Sequence, residues 1–328
     1  SQRVCALFEQ AARPERQARY DGELWRYYPQ LRSQHGCEQE TRYVYDLCRL
    51  ARFDPEDKRV LDAGCGVGLQ LIVLHFMGAA EAVGFDISES RLRTFENLIA
   101  DFGLQGVQAQ LASLEEVEFA PATFDMILSN EAISHYPQVE AFLERAARWL
   151  RRGGVLIIAD GNNAANPQLV AHTRQIWQRF ENGPPGEFGG HMVKNPYVAQ
   201  RMEIIREAYP ELSQEIVRTL AQRTSRMTRP AILQAVAHYL KTDELPNALY
   251  DPNQCPVNPY SGAVIERLFH PLELARGMER FGFRARAYAY FGGASGNPIV
   301  RAANALLMRL TPLSLRWARS FRVIAVRQ

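Results

Sequence analysis

One stretch decides the fold of this chain: Val60-Leu61-Asp62-Ala63-Gly64-Cys65-Gly66-Val67-Gly68. It reads as a short apolar strand that runs into a glycine-rich turn and then into an apolar helix over 69–77. Glycines in such a turn let the backbone approach a ligand closely. A dinucleotide fingerprint, G-x-G-x-x-G, would place a glycine at position 69, which is leucine here. Asp62 would also repel a pyrophosphate, whereas it would attract a cationic ligand.

A second acidic residue, Asp86, ends the next predicted strand, 22 positions after Gly64. In nucleotide-binding α/β proteins a carboxylate at this place binds the ribose hydroxyls of the ligand. The alternative is a tight turn over 64–68 with Asp86 as a helix-capping acid. Because the two features occur in order on predicted strands, we favour binding of an adenosine.

Strands and helices alternate around this stretch at the spacing typical of a doubly wound parallel sheet. The predicted strands are 59–63, 81–86, 107–111, 124–129, 155–159, 283–291 and 321–326, and the predicted helices between the first five are 69–77, 88–102 and 138–150. Residues 161–270 interrupt this rhythm with helical segments and Gly/Pro-rich loops. We expect a mostly helical substrate cap there, over the carboxyl ends of the strands. The predicted division is an N-terminal helical segment or lid (1–57), a core (58–160 with 271–328) and the cap (161–270).

The composition is typical of a globular protein, with 47% hydrophobic and 23% charged residues among 328. No apolar run approaches the ~18 residues that a membrane span needs. The five cysteines are scattered without a CxxC pair, which disfavours a zinc site or a disulfide framework and favours a reducing cytoplasm. The net charge of +2 is uneven, because residues 291–328 contain six arginines and no acidic residue. We therefore expect any anionic partner to bind the C-terminal third.

Four motifs resemble those of the class I S-adenosylmethionine-dependent methyltransferases: DAGCGVG over 62–68, Asp86, TFDMILSNE over 123–131 and LRRGGVL over 150–156. The resemblance covers residues 58–160 and, more loosely, 270–328. It implies a Rossmann-like fold with a seven-stranded, mostly parallel sheet whose last strand, 321–326, runs antiparallel. It also implies methyl transfer, with S-adenosyl-L-methionine as the cofactor.

The resemblance assigns roles to individual residues. Asp62 would lie near the ammonium group of the cofactor, Asp86 would bind its ribose, Ile87 would pack on its adenine and Asn130 would face its methyl group. Ser113 stands where many members have an adenine-binding aspartate. The cofactor-binding residues implied in this way are Asp62, Gly64, Cys65, Gly66, Gly68, Asp86, Ile87, Ser113, Leu114 and Asn130.

His135 is the predicted general base. It follows the fourth strand, near the expected methyl position, and a neutral imidazole takes the proton that a hydroxyl acceptor loses. The alternative is a structural histidine. An oxygen acceptor on a small molecule is favoured, while nitrogen, carbon, or a glycan or lipid-linked acceptor stays open. The predicted substrate-binding residues are Tyr28, Glu131, Asn162, Asn163 and His191.

The same residues leave other functions and partners open. The cluster over 160–163 has oxygen ligands for a divalent metal, but a polar turn is favoured and no metal is expected. The basic amphipathic segment 299–320 suits either a membrane surface or a helical crossover that packs on the sheet, and the crossover is favoured. No nucleic-acid module is recognisable. A nicotinamide-dependent dehydrogenase and a non-catalytic, cofactor-binding partner subunit are the alternatives from other classes.

Overall fold

The structure is a computed structural model of the chain and describes residues 1–20, 22–292 and 297–328. The strands in these ranges are β1 (Arg59–Ala63), β2 (Glu81–Asp86), β3 (Val107–Leu111), β4 (Phe124–Asn130), β5 (Leu150–Asp160), β6 (Gly186–Phe188), β7 (His191–Val193), β8 (Phe283–Tyr290) and β9 (Ser320–Arg327). The α-helices are α1 (Gln2–Ala11), α2 (Pro14–Tyr20), α3 (Leu24–Tyr27), α4 (Gln34–Ala51), α5 (Leu69–Phe76), α6 (Glu89–Phe102), α7 (Val139–Trp149), α8 (Pro167–Asn182), α9 (Tyr197–Ala208), α10 (Gln214–Gln222), α11 (Arg229–Thr242), α12 (Pro271–Gly277), α13 (Pro298–Arg309) and α14 (Thr311–Ser314). Short 3-10 helices lie at Pro29–Arg32, Ile133–His135 and Met278–Phe281.

The described chain divides by its contacts into two units. The first contains residues 1–133, 138–163 and 270–328, and the second contains residues 134–137 and 164–269. The first unit holds a seven-stranded sheet in the order β3-β2-β1-β4-β5-β9-β8. Strand β9 is antiparallel to both of its neighbours, and the other strand pairs are parallel. The prediction of a doubly wound, seven-stranded sheet with an antiparallel last strand is confirmed.

The central strands were recognisable because both of their faces are buried. Strands β1, β2 and β4 carry at most one residue each that is not fully buried, so they read as continuous apolar runs in the sequence. Strand β5 differs from its prediction. It begins at Leu150 directly after α7, instead of at residue 155 after a glycine pair that closes the helix. Leu150 pairs with Phe124, and the register then shifts before Val155 pairs with Met126.

The N-terminal residues share a hydrophobic core with the sheet. Val4 and Phe8 from α1, Trp25 from α3 and Leu47 from α4 are buried in the same cluster as residues of β1 and α5. Residues 1–57 therefore belong to the first unit, although the sequence set them apart as a separate segment. Over the described residues, no helix has both the length and the apolar character needed to cross a bilayer.

The second unit is built from α8 to α11 and a small hairpin. Its core includes Ile204, Leu220 and Val236, and Glu181 forms a fully buried ion pair with Arg201 at 2.5 Å. The hairpin of β6 and β7 was not predicted. Its two turn residues are Gly189 and Gly190, which both have positive φ, and this is the geometry that a two-residue hairpin turn requires.

Candidate functional site

Asp62 lies at the carboxyl end of β1, inside the first unit. Its side chain is 1% exposed, and its Oδ1 has no hydrogen-bond partner among the residues that the structure describes. Burial, followed by the negative charge of Asp86, raises the pKa of Asp62 to about 8. A buried carboxyl with an unused oxygen favours a ligand that brings a hydrogen-bond donor, and a positive charge above all.

Asp86 ends β2 and fastens the glycine-rich turn to that strand. Its Oδ2 accepts a hydrogen bond from the Gly66 amide at 2.9 Å, and its Oδ1 accepts one from the Ser88 amide at 2.8 Å. An ionised carboxylate offers about four acceptor positions. Asp86 can therefore hold the turn and still accept hydroxyl hydrogens from a ribose, which stays a prediction.

The turn itself is shaped by close contacts between backbone and side chains. The amides of Gly64 and Cys65 both donate to the Phe85 carbonyl, at 2.9 and 3.0 Å. A Cβ on Gly84 in β2 would lie 2.6 Å from the Cys65 sulfur, so the thiol fills the space that this glycine leaves. Burial raises the pKa of the Cys65 thiol well above its usual value. The side chain of Cys65 thus packs inside the protein, and only its backbone suits the predicted ligand contact.

Gly68 closes the turn and begins α5. Its φ of +74° lies in the left-handed region, and a Cβ there would lie 2.2 Å from ring atoms of Phe95 on α6. Both facts exclude a larger residue without rearrangement. The third glycine of the motif therefore brings α5 and α6 together beneath the turn.

Apolar side chains are exposed beside Asp86. Ile87 is 75% exposed and Leu111, at the end of β3, is 59% exposed. The carboxyl ends of β2 and β3 are adjacent because Asp86 pairs with Leu111 in the sheet. Leu114 is buried, and the Ser113 amide donates to Glu116 at 2.9 Å. Leu111 was not predicted, yet with Ile87 it offers an apolar surface of the kind that an adenine ring covers.

The N-terminal segment reaches this site through Tyr28. Burial raises the pKa of the Tyr28 hydroxyl, the negative charges of Glu40 and Asp62 raise it further, and a hydrogen bond with Gln70 lowers it. The predicted substrate-binding Tyr28 and the predicted cofactor-binding Asp62 therefore lie close together. Nearby, the Arg91 guanidinium stacks on Tyr27 at 4.5 Å from the ring centre.

Asn130, at the end of β4, belongs to a chain of three polar side chains. Its Oδ1 accepts a hydrogen bond from the Tyr43 hydroxyl at 2.6 Å, and that hydroxyl accepts one from Arg322 Nη2 at 3.0 Å. Tyr43 and Arg322 were not predicted. The sequence carries a signal for Arg322, since it is a charged residue at the start of an otherwise apolar strand, whereas no local pattern marks Tyr43.

The side chains of Glu131 and Asn163 both form hydrogen bonds with the protein backbone. Glu131 has a φ of +50°, and its Oε2 accepts a hydrogen bond from the Gly161 amide at 2.9 Å. Asn163 is fully buried, and its amide nitrogen donates to the carbonyls of Leu315 and Ala318, both at 2.8 Å. Both amide hydrogens of Asn163 thus hold the chain before β9, and its predicted substrate contact stays a prediction. Asn162 is buried beside it.

The two predicted histidines belong to the second unit. His135 is exposed at the end of its 3-10 helix. Arg267 holds the following turn, because its amide donates to the Ser134 carbonyl at 2.9 Å and its Nη2 donates to the Pro137 carbonyl at 3.1 Å. His191 begins β7, with its Nε2 4.0 Å from a Glu266 carboxylate oxygen. Over the ranges that the structure describes, no three His, Cys, Asp or Glu side chains are grouped as metal ligands.

Comparison with known proteins identifies the kind of domain that carries this site. A family model described as a methyltransferase domain matches residues 54–222. The ubiquinone biosynthesis O-methyltransferase of Parvibaculum lavamentivorans is 40% identical over 121 residues, which are 37% of this chain and 46% of that protein. The protein of the same name from Rhizobium etli is 34% identical over 116 residues, 35% of this chain and 46% of that protein. The chain thus spans less than half the length of these curated relatives.

Among solved structures, an S-adenosylmethionine dependent methyltransferase from Mesorhizobium loti aligns with a TM-score of 0.46 at 15% identity. The alignment covers 86% of this chain and 97% of that one.

Proposed function

The chain belongs to the methyltransferase-domain family, whose model matches residues 54–222, and on this premise we propose that it binds S-adenosylmethionine and methylates a hydroxyl group of a small molecule. The observation that carries the proposal is the environment of Asp62. A buried carboxyl with a raised pKa and an unused oxygen, beside a glycine-rich turn, suits an amino-acid ammonium group. It does not suit the phosphates of a nicotinamide dinucleotide.

The residues around Asp62 fit the rest of the cofactor. Asp86 retains acceptor positions for ribose hydroxyls, and the exposed Ile87 and Leu111 form an apolar surface for the adenine. When bound, S-adenosylmethionine supplies an electrophilic methyl group on a sulfonium centre. The protein contributes alignment, which is worth up to ~7–11 kcal/mol when reacting atoms are held in line.

An oxygen acceptor is supported by the names of the relatives, which are O-methyltransferases of ubiquinone biosynthesis. A hydroxyl becomes a better nucleophile as it loses its proton, and His135 is our proposed base. The imidazole is exposed on a turn held by Arg267, so it is accessible to an acceptor. Nitrogen, carbon, or a glycan or lipid-linked acceptor are the alternatives. We also propose a cytoplasmic location, because all five cysteines are free thiols.

Calorimetry with S-adenosylhomocysteine and with NADH tests the cofactor assignment. We expect S-adenosylhomocysteine to bind in the micromolar range, about −8 kcal/mol, and NADH not to bind. The reverse result would assign the chain to the dehydrogenases. Binding without turnover on hydroxyl, amine or carbon acceptors would instead point to a non-catalytic partner subunit.

The role of His135 is tested by turnover with labelled S-adenosylmethionine and a panel of hydroxylated acceptors. His135→Ala should lower kcat by ~10²–10⁴ and leave cofactor affinity unchanged. His238→Ala is a matched control, since His238 is also an exposed histidine of the second unit. If the His135 variant keeps more than a tenth of the activity, catalysis depends on alignment or on another base.

A further inference from the structure

The first unit contains a cavity of about 730 Å³ between α4, β8, α13 and the start of β9. We call it the arginine pocket, because four arginines and a single acidic residue line it: Arg49, Arg52, Arg301, Arg322 and Asp46. We propose that the arginine pocket binds a carboxylate or phosphate group carried by the methyl acceptor. Since it names the class of acceptor, this inference rests on the proposed function.

Arg322 is the strongest sign of an anionic ligand. Its side chain is 2% exposed, and its guanidinium donates to the Phe321 carbonyl and to the Tyr43 hydroxyl. It lies 3.9 Å from the centre of the Tyr290 ring, and its Nε has no hydrogen-bond partner among the described residues. A buried cation normally has an anionic partner, and Arg322 has none within the described ranges.

The remaining charges of the pocket leave a positive excess. Asp46 lies 3.4 Å from Arg49, and it also interacts electrostatically with Arg301. Arg52 and Arg322 form no ion pair with any residue that the structure describes. Guanidinium groups bind carboxylates and phosphates through paired hydrogen bonds, so this set of side chains favours a bound anion over a neutral ligand.

The pocket is connected to the expected site of methyl transfer. Asn130 pairs with Ala159 in the sheet, and Ala159 pairs with Arg322. Tyr43 lines the pocket and bonds to both Asn130 and Arg322. An acceptor whose anionic group binds Arg322 therefore extends along this row toward Asn130, where the resemblance expects the methyl group.

A pair of probes of equal shape tests the proposal without the cofactor. Binding of 4-hydroxybenzoate and of its neutral analogue 4-hydroxybenzamide is measured by ligand-observed NMR, with phenyl phosphate as the phosphate probe. We expect one of the two anions to bind at least about tenfold more tightly than the amide. The better anion then identifies the preferred group as a carboxylate or a phosphate.

Variants connect this preference to the pocket. Arg301→Gln and Arg322→Met should each remove the preference, whereas Arg284→Gln, an exposed arginine of β8 outside the pocket, should retain it. If Arg322→Met fails to fold, the Arg301→Gln variant decides, because Arg301 is exposed. Equal binding of anions and amide, or a preference that survives Arg301→Gln, would overturn the proposal. Failure of S-adenosylhomocysteine to bind would refute the proposed function but not this pocket.

The segment from α13 through α14 to Trp317 buries polar side chains and exposes several large apolar ones. Asn304 is buried and donates to the Phe291 carbonyl at 3.3 Å, and the buried Thr311 hydroxyl accepts from the Ala289 amide of the edge strand β8 at 3.1 Å. Leu315 is buried, whereas four other large apolar residues are exposed: Ile299 (77%), Leu306 (59%), Leu313 (65%) and Trp317 (69%). The segment is the predicted crossover before the last strand, and it packs on β8, while part of its apolar surface stays exposed.

We infer that this outward face binds an anionic membrane surface. Charge complementarity selects the partner, since Arg309, Arg316 and Arg319 are exposed along this segment and residues 298–319 contain no acidic residue. Basic residues around an exposed apolar face are typical of segments that lie in the headgroup region of anionic bilayers.

Trp317 provides the readout. It is the one exposed tryptophan of the four in the sequence, because Trp25, Trp149 and Trp177 are buried. Vesicles that contain phosphatidylglycerol should sediment with the protein and shift its emission to shorter wavelength, and neutral phosphatidylcholine vesicles should not. Leu313→Ser should weaken the binding, while Leu249→Ser, a leucine of similar exposure in the second unit, should not. Absence of vesicle binding, or a dimer that Leu313→Ser dissociates, would overturn the inference.

Discussion

Asp62 and Asp86 lie on adjacent strands, and the charge of Asp86 adds to burial in raising the pKa of Asp62 to about 8. The Asp86 carboxylate itself accepts hydrogen bonds from two backbone amides. At neutral pH Asp62 is therefore mostly protonated in the free protein, while a bound ammonium group would favour its ionised form. Ligand binding and proton release are coupled at this residue.

The first prediction follows from that coupling. A cationic ligand binds the ionised form of Asp62, so the affinity for S-adenosylhomocysteine should rise by ~tenfold per pH unit below the raised pKa and level off near pH 8. Binding at pH 7 should also release close to one proton. Calorimetry in phosphate and in Tris buffers measures this release, because the two buffers differ in their heats of protonation.

Asp62→Asn separates this effect from titration of the ligand. The amide has no proton to release, so the pH dependence that remains belongs to the ligand alone. An unchanged pH profile in the variant would show that the ammonium group binds elsewhere.

The second prediction concerns Asp86. Asp86→Ala should weaken S-adenosylhomocysteine binding by ~1.5–3 kcal/mol for each charge-assisted hydrogen bond that is lost. The thermal midpoint should also fall, because the Gly66 amide loses its acceptor. Glu89→Ala, an exposed acid in the first turn of α6, is the control and should change neither quantity. An unchanged dissociation constant for Asp86→Ala would place the ribose elsewhere.

The glycine-rich turn and the central strands could be predicted because their signals are local. The strand before Gly64 is buried on both faces, so its residues form one apolar run. The backbone of the turn has positive φ at Gly64, Gly66 and Gly68. Because glycine adopts positive φ most readily, the spacing of the glycines indicates the turn directly.

The polar chain from Asn130 to Arg322 could not be predicted, because its contacts are distant in the sequence. Tyr43 and Arg322 are separated by 279 positions. No local pattern in the sequence relates a tyrosine on an N-terminal helix to an arginine on the last strand. The contacts of Asn163 could not be predicted for the same reason, because its amide donates to the carbonyls of Leu315 and Ala318, which are 152 and 155 positions away. Local pattern identifies elements, whereas packing decides which polar side chains face a ligand.

The third prediction compares two glycines with similar backbone angles. Gly103→Ala should cost about 1–2 kcal/mol, the strain of a left-handed alanine, because no atom lies near its Cβ position. Gly68→Ala carries the same strain and a clash with the Phe95 ring at 2.2 Å, which should add about 1–3 kcal/mol. Urea denaturation measures both. Equal losses would mean that α6 moves freely away from the turn.

The fourth prediction tests the buried ion pair of the second unit. Glu181 and Arg201 are each 1% exposed, and the Ser225 hydroxyl also donates to Glu181 at 2.9 Å. Glu181→Ala should destabilise the protein by about 3–5 kcal/mol, because it leaves the Arg201 charge buried without a partner. Arg229→Ala breaks the exposed pair with Glu207 and should cost less than ~1 kcal/mol. Replacing Glu181 with leucine and Arg201 with methionine together should recover most of the loss, since no unpaired charge then remains. Chemical denaturation of the three variants decides, and a double variant as unstable as Glu181→Ala would show that the loss came from the packing around Ser225 instead of the buried charge.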